Sequence, residues 1–224
     1  MRVGVLQSNY LPWRGYFDFI NSVDLFIFHD DIQYTKQDWR NRNKVKMPNG
    51  TEWITVPVKG CPTRTMIDEV EISGCGWFHV HKHKLRQSLD KAEYFRDAMD
   101  IFSICEYRYD RLSDLNIALI KRVCRYLEIN TPFIHSRRLE LTGAKTDRLI
   151  QMLKKVGGTT YLSGPAAKCY LDVEAMNREG IAVEWKRYDY EPYPQQHGEF
   201  NGAVTVLDLI ANVGKDAKNH ITSK

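Results

Sequence analysis

Val3-Gly4-Val5-Leu6-Gln7-Ser8-Asn9-Tyr10-Leu11-Pro12-Trp13-Arg14-Gly15-Tyr16-Phe17 decides the fold. Its first four residues are an apolar run too short for a helix and suited to a buried strand over residues 2–7. Polar and aromatic residues then break the run. Pro12 fits the first turn of a helix, where its missing N–H costs nothing. Tyr16, Phe17, Ile20 and Val23 follow at near-helical spacing, which predicts a helix of roughly three turns. A strand that ends in polar residues at a helix start is where α/β proteins place their ligands.

Working outward, Leu25-Phe26-Ile27-Phe28 is a second apolar run, and it ends in His29-Asp30-Asp31-Ile32-Gln33-Tyr34. The runs 44–47 and 53–58 flank Pro48-Asn49-Gly50-Thr51, and Asn-Gly between alternating runs predicts a hairpin with both turn residues at positive φ. Residues 66–72 predict a further strand, and residues 77–128 a helical insertion with a wide apolar face. Strands over 133–135, 159–162 and 181–185 alternate with helices over 147–156 and 204–211. This argues a largely parallel sheet with helices on its faces. Gly157-Gly158 stops one helix. Residues 215–224 read as a polar tail, and no linker divides the 224 residues, so a single domain 1–224 is expected.

The bulk composition narrows the partners. Thirty-two Lys and Arg against 28 Asp and Glu leave a net charge of +4. That suits an anionic small molecule, and nucleic acid is not the expected partner. Five cysteines, an odd number without a C-x-x-C pair, predict a reducing cytoplasm and no disulfide framework. No apolar run approaches a membrane span. A homodimer is left open.

Four constellations suit anion chemistry. The turn from Gln7 through Asn9, Tyr10 and Trp13 to Gly15 offers a helix N-terminus, directional hydrogen bonds and a glycine that admits close approach; Asn9 as a plain cap, with the aromatics in the core, is the alternative. In Trp39-Arg40-Asn41-Arg42-Asn43-Lys44-Val45-Lys46 the cations alternate, so a strand would carry all four on one side. Arg40 and Arg42 would grip phosphate, and a solvated strand face is the alternative. Asp30 and Asp31 suggest a base or a Mg²⁺ site, or a simple turn. Ser163-Gly164-Pro165-Ala166-Ala167-Lys168 is a second small-residue turn opening a helix, with Ser163 and Lys168 placed for an anion. His79-x-His81-x-His83 reads as exposed helix histidines without a third metal ligand. Neither G-x-S-x-G nor G-x-G-x-x-G occurs.

These same runs, with Trp53-Ile54-Thr55-Val56-Pro57-Val58, Tyr161-Leu162-Ser163-Gly164-Pro165 and Tyr193-Pro194-Gln195, resemble the WbqC-like family over nearly the whole chain. The family is associated with bacterial surface-polysaccharide (O-antigen or capsule) loci. A more distant likeness is to nucleotidyltransferases and pantothenate-synthetase-like ligases, whose H-x-G-H motif occupies the context of Trp13-Arg14-Gly15-Tyr16 here. The glycine is kept and both histidines are changed, so any positive charge would have to come from Arg14, Arg40 or Arg42.

The resemblance and the motifs together imply a nucleotide-binding-like (Rossmann/HUP-like) α/β core with a β-hairpin and a helical insertion. They imply an enzyme that transfers a small acyl, aminoacyl or nucleotidyl group to or from a nucleotide-linked (amino)sugar, with ATP or another nucleotide and Mg²⁺ as candidate cofactors. Catalysis would fall to Asp30, Asp31 and Arg40. Binding would fall to Gln7, Asn9, Tyr10, Trp13, Gly15, Gln33, Tyr34, Trp39, Arg42, Ser163, Gly164 and Lys168. The rival is a non-catalytic module that binds a nucleotide sugar or polysaccharide intermediate beside a glycosyltransferase, and RNA binding through the basic strand is a third reading.

Overall fold

The computed structural model describes residues 1–223. Five strands, β1 (Arg2–Leu6), β2 (Leu25–Phe28), β5 (Phe133–His135), β6 (Thr160–Ser163) and β7 (Ala182–Trp185), form one sheet in the order β5-β2-β1-β6-β7. Every pairing is parallel, with Val3 opposite Leu25 and Tyr161. β3 (Arg42–Met47) and β4 (Gly50–Thr55) form a separate antiparallel hairpin.

Alternation along the strands builds two cores. Phe26 and Phe28 of β2 face a core made with α1 (Arg14–Asn21), α2 (Trp77–Leu89), α3 (Phe95–Phe102), α4 (Leu112–Tyr126) and α7 (Val206–Val213). Ile27 of β2, with Val3 and Val5 of β1, faces a second core made with α5 (Lys145–Val156) and α6 (Val173–Arg178). The sheet is thus covered on both faces, as a parallel sheet requires. Taken in chain order, the five strands lie third, second, first, fourth, fifth. The crossovers leave β1 in opposite directions, so a switch point lies between the C-terminal ends of β1 and β6.

Several expectations are corrected. α1 has eight residues and starts two residues after Pro12, because the Pro12 carbonyl accepts the Val206 N–H at 2.9 Å. The hairpin turn is Pro48-Asn49, not Asn49-Gly50: Met47 pairs with Gly50, which alone takes positive φ (123°). Proline fixes the φ that the first turn position needs, which moves the turn back by one residue. Residues 66–72 form no strand. Ile67 and Val70 are buried around a 3₁₀ turn, Ile67–Glu69, with isolated bridges on either side. The turn after β6 opens a 3₁₀ helix, Pro165–Cys169, and the following helix is capped separately by Asp172. Residues 215–223 are not a loose tail: α8 (Ala217–His220) and Ile221 pack with Ala217 and Ile221 fully buried. Among the described residues no helix is long and apolar enough to cross a membrane.

Candidate functional site

A cavity of about 890 Å³ lies at the switch point. Its floor is made by residues leaving β1 (Gln7), β2 (His29, Asp31, Gln33) and β6 (Ser163, Gly164). Its opposite wall is the start of α5, from Gly143 to Arg148, and Tyr170 stands at its edge. Ala144 at the N-cap of α5 has no side chain able to cap, so the first amides of this helix have no side-chain acceptor. Lys145 holds positive φ (52°), a costly conformation for lysine that such sites tolerate.

The ionisable groups on the floor form a chain of contacts. Arg148 Nη2 donates to Asp31 Oδ2 at 2.5 Å, and Ser136 Oγ donates to Asp31 Oδ1. His29 Nε2 lies 3.8 Å from Asp31 Oδ1, is closed to solvent and has no hydrogen-bond partner among the described residues. Burial pushes the His29 imidazole below its ordinary value; Asp31 opposes that shift and Arg148 adds to it. His29 is therefore neutral near pH 7. Beside the cavity, Arg40 Nη1 donates to Gln7 Oε1 at 3.1 Å and Nη2 to Asp38.

The expected residues fall into groups. Gln7, Gln33, Ser163, Gly164 and Asp31 line the large cavity, and Arg40 reaches it through Gln7. Asp30 does not pair with Asp31. It is buried elsewhere, takes the Ser8 N–H at 2.8 Å, and its other oxygen has no hydrogen-bond partner among the described residues. Burial raises its carboxyl to about 6, the Ser8 hydrogen bonds and Arg40 opposing. The two carboxylates offer no joint oxygen set to Mg²⁺, since both Asp31 oxygens are engaged and Asp30 is closed in. Among the described residues no group of three or more His, Cys, Asp or Glu converges.

Tyr10 and Tyr34 are core residues. The Tyr10 hydroxyl is spent on His81, which is buried rather than exposed, unlike His79 and His83. His81 Nε2 faces the Thr55 carbonyl at 3.1 Å, so it carries the proton, and Nδ1 accepts from the Tyr10 hydroxyl. That neutral tautomer agrees with an imidazole lowered to about 4 by burial. Arg14 is buried in an aromatic box of Tyr190, Tyr193 and Phe200, donates to the Glu191 and His220 carbonyls, and supplies no charge to the cavity. Lys168 is exposed beside the Trp185 ring.

The basic run is likewise divided. Arg40 precedes β3, Arg42 and Lys44 lie over Trp53 at 4.1 and 5.0 Å, and Lys46 is buried against Gln195 and the Glu199 carbonyl. Asn9, Trp13, Trp39 and Asn43 line a second, smaller cavity. Gly15 makes room for no ligand: a Cβ there would meet the Trp13 ring at 2.4 Å. Gly15→Ala is accordingly expected to cost about 2 kcal/mol and to lower the melting temperature by about 4–8 °C, with a change in tryptophan emission as Trp13 is displaced. A melt and emission spectrum like those of the parent would show that Trp13 moves freely.

Sequence reasoning missed His29, Lys145 and Arg148. His29 carried a weak signal, being the last polar residue before the two aspartates. Lys145 and Arg148 sit on the polar side of an amphipathic helix, where cations are ordinarily solvated.

Residues 7–220 match the WbqC-like protein family. The uncharacterized protein Rv1507c of Mycobacterium tuberculosis is 42% identical over 225 residues, covering 98% of this chain and 97% of that protein. No solved structure matches the chain. By the length and continuity of these matches, the chain belongs to the WbqC-like protein family.

Proposed function

We propose that the protein is a group-transfer enzyme of bacterial surface-polysaccharide synthesis that acts on a nucleotide-linked (amino)sugar in the large cavity. One observation carries the reading: a cavity at the switch point of a parallel sheet, with an uncapped helix start and two cations on one wall and a His–Asp pair on the floor. Nucleotides bind at such switch points in doubly wound, Rossmann-like sheets. The free amides of α5, with Lys145, suit the diphosphate. Gln7, Gln33 and Ser163 supply hydrogen bonds for sugar hydroxyls, and Tyr170 an open ring for the base.

His29 is the acid–base residue in this scheme. Its Nε2 edge turns toward Asp31, which leaves Nδ1 to take the proton from an attacking sugar amine or hydroxyl. Asp31, fixed by Arg148 and Ser136, stabilises the imidazolium that forms. This arrangement favours acyl or aminoacyl transfer over nucleotidyl transfer, because Asp30 is closed in away from Asp31, and Arg14 and Arg42, two of the three cations that could replace the missing histidines, lie away from the cavity.

The test is a thermal-shift screen with nucleoside diphosphates and nucleotide-linked amino sugars. Ligand at a hundred times its dissociation constant stabilises by about 2.7 kcal/mol, a shift of several degrees, and Lys145→Ala should remove most of it. Absence of any shift, or an undiminished shift in that variant, would sink the site assignment. Binding without turnover would leave the non-catalytic module as the better description.

A further inference from the structure

We infer that the smaller cavity is a binding subsite for a neutral pyranose ring, separate from the phosphate-binding cavity proposed above and independent of that reading.

The cavity holds about 300 Å³ and is built where three chain segments are clamped together. The Tyr10 N–H donates to the Trp39 carbonyl at 3.0 Å, Asn43 Nδ2 donates to the Leu11 carbonyl at 2.6 Å, and the Val206 N–H donates to the Pro12 carbonyl at 2.9 Å. Backbone and buried amide contacts of this kind make the walls pre-formed, which lowers the cost of binding.

The two aromatic walls are held differently. Trp13 is backed by Tyr188 and Tyr190, with ring centres 5.2 and 5.8 Å away, and fills the space left by Gly15. Trp39 is 43% exposed and leans on Trp53 at 5.5 Å; Arg42 in turn lies over Trp53. A large, positioned indole left in water at a cavity mouth forgoes burial that a ligand would restore.

Polar chemistry narrows the occupant. Asn9 lines the cavity, and its Oδ1 is closed to solvent with no hydrogen-bond partner among the described residues. Asn9 is half-buried, and a rotation of its side chain would present this unpaired carbonyl oxygen to a ligand hydroxyl. Among the described residues no charged side chain lines this cavity, whereas the cations are gathered in the large one. A nucleotide would carry its phosphates away from any countercharge here. What fits is an uncharged ring with one apolar C–H face for an indole and hydroxyls for an amide. Gln7 lines the large cavity and Asn9 the small one, so a single short loop separates the two.

The experiment titrates the full chain with methyl glycosides of glucose, galactose and N-acetylglucosamine, following tryptophan emission, with uridine and adenosine as comparison ligands. At least one glycoside should give a saturable change with a dissociation constant of the order of millimolar. Trp39→Ala should weaken it at least tenfold, and Ala203→Phe, which fills the cavity from an exposed position, should abolish it. Arg148→Ala should leave it unchanged. Saturation by the nucleosides alone, an undiminished response in Ala203→Phe, or no saturable response to any glycoside up to about 100 mM would each overturn the inference. None of these results bears on nucleotide-sugar binding in the large cavity, which the thermal shift reads separately.

Discussion

Asp18→Ala is expected to lower the melting temperature by about 6–12 °C. Asp18 sits inside α1 between Phe17 and Phe19 and is 2% exposed. Its Oδ1 takes Lys186 Nζ at 2.7 Å and its Oδ2 takes the Tyr190 hydroxyl at 2.7 Å. Lys186 also reaches Ser22 Oγ and Ser223 Oγ. One carboxylate therefore ties α1 to the chain beyond β7 and to the C-terminal end. Removing it leaves a largely buried ammonium without its counter-ion, a change that costs about 3 kcal/mol, at 2–4 °C per kcal/mol in a domain of this size. The companion variant is Asp18→Ala with Lys186→Met, which removes the orphaned charge and should recover much of the loss. A single-variant melt within about 2 °C of the parent would mean that water replaces the carboxylate.

That network also shows where sequence reasoning stops. Phe17-Asp18-Phe19 marks Asp18 as an acid in an apolar run, but its partner is 168 residues away, and nothing local points to it. The three central strands, β1, β2 and β6, were legible because each is a short, largely apolar run buried on both faces. Their order was not, since parallel pairing depends on the crossovers. The hairpin was legible from Pro48-Asn49-Gly50, and only the position of the turn differed.

The site divides on the same line. Gln7, Asp31 and Ser163 could be found because they end strands, and strand ends collect at the switch point. Asp30 lies in the same run as Asp31 yet is buried, because consecutive side chains leave a strand end on opposite sides, whereas Tyr10 and Tyr34 stand further along the loops, which fold them into the core. Arg148 and Lys145 come from a helix that reaches the cavity only through the packing of α5 on the sheet, so no local pattern announces them.

His29→Ala is expected to lower turnover about a hundredfold or more, provided the transfer runs through the large cavity. The pH profile gives the sharper result. The His29 pKa lies below the ordinary 6.5, first because of burial. A general base works in its neutral form, so activity should be full near neutrality and fall as pH drops through a midpoint on the acid side of 6.5. The neighbours move that midpoint in opposite directions. Arg148 lowers the His29 pKa, so Arg148→Ala should carry the midpoint upward toward neutrality. Asp31 raises it, so Asp31→Asn should carry the midpoint further down. Both variants also lose the ion pair at 2.5 Å, so a purely structural role would reduce activity in both without moving the midpoints apart. Divergent midpoints would place the proton on His29, and coincident ones would remove it from the chemistry.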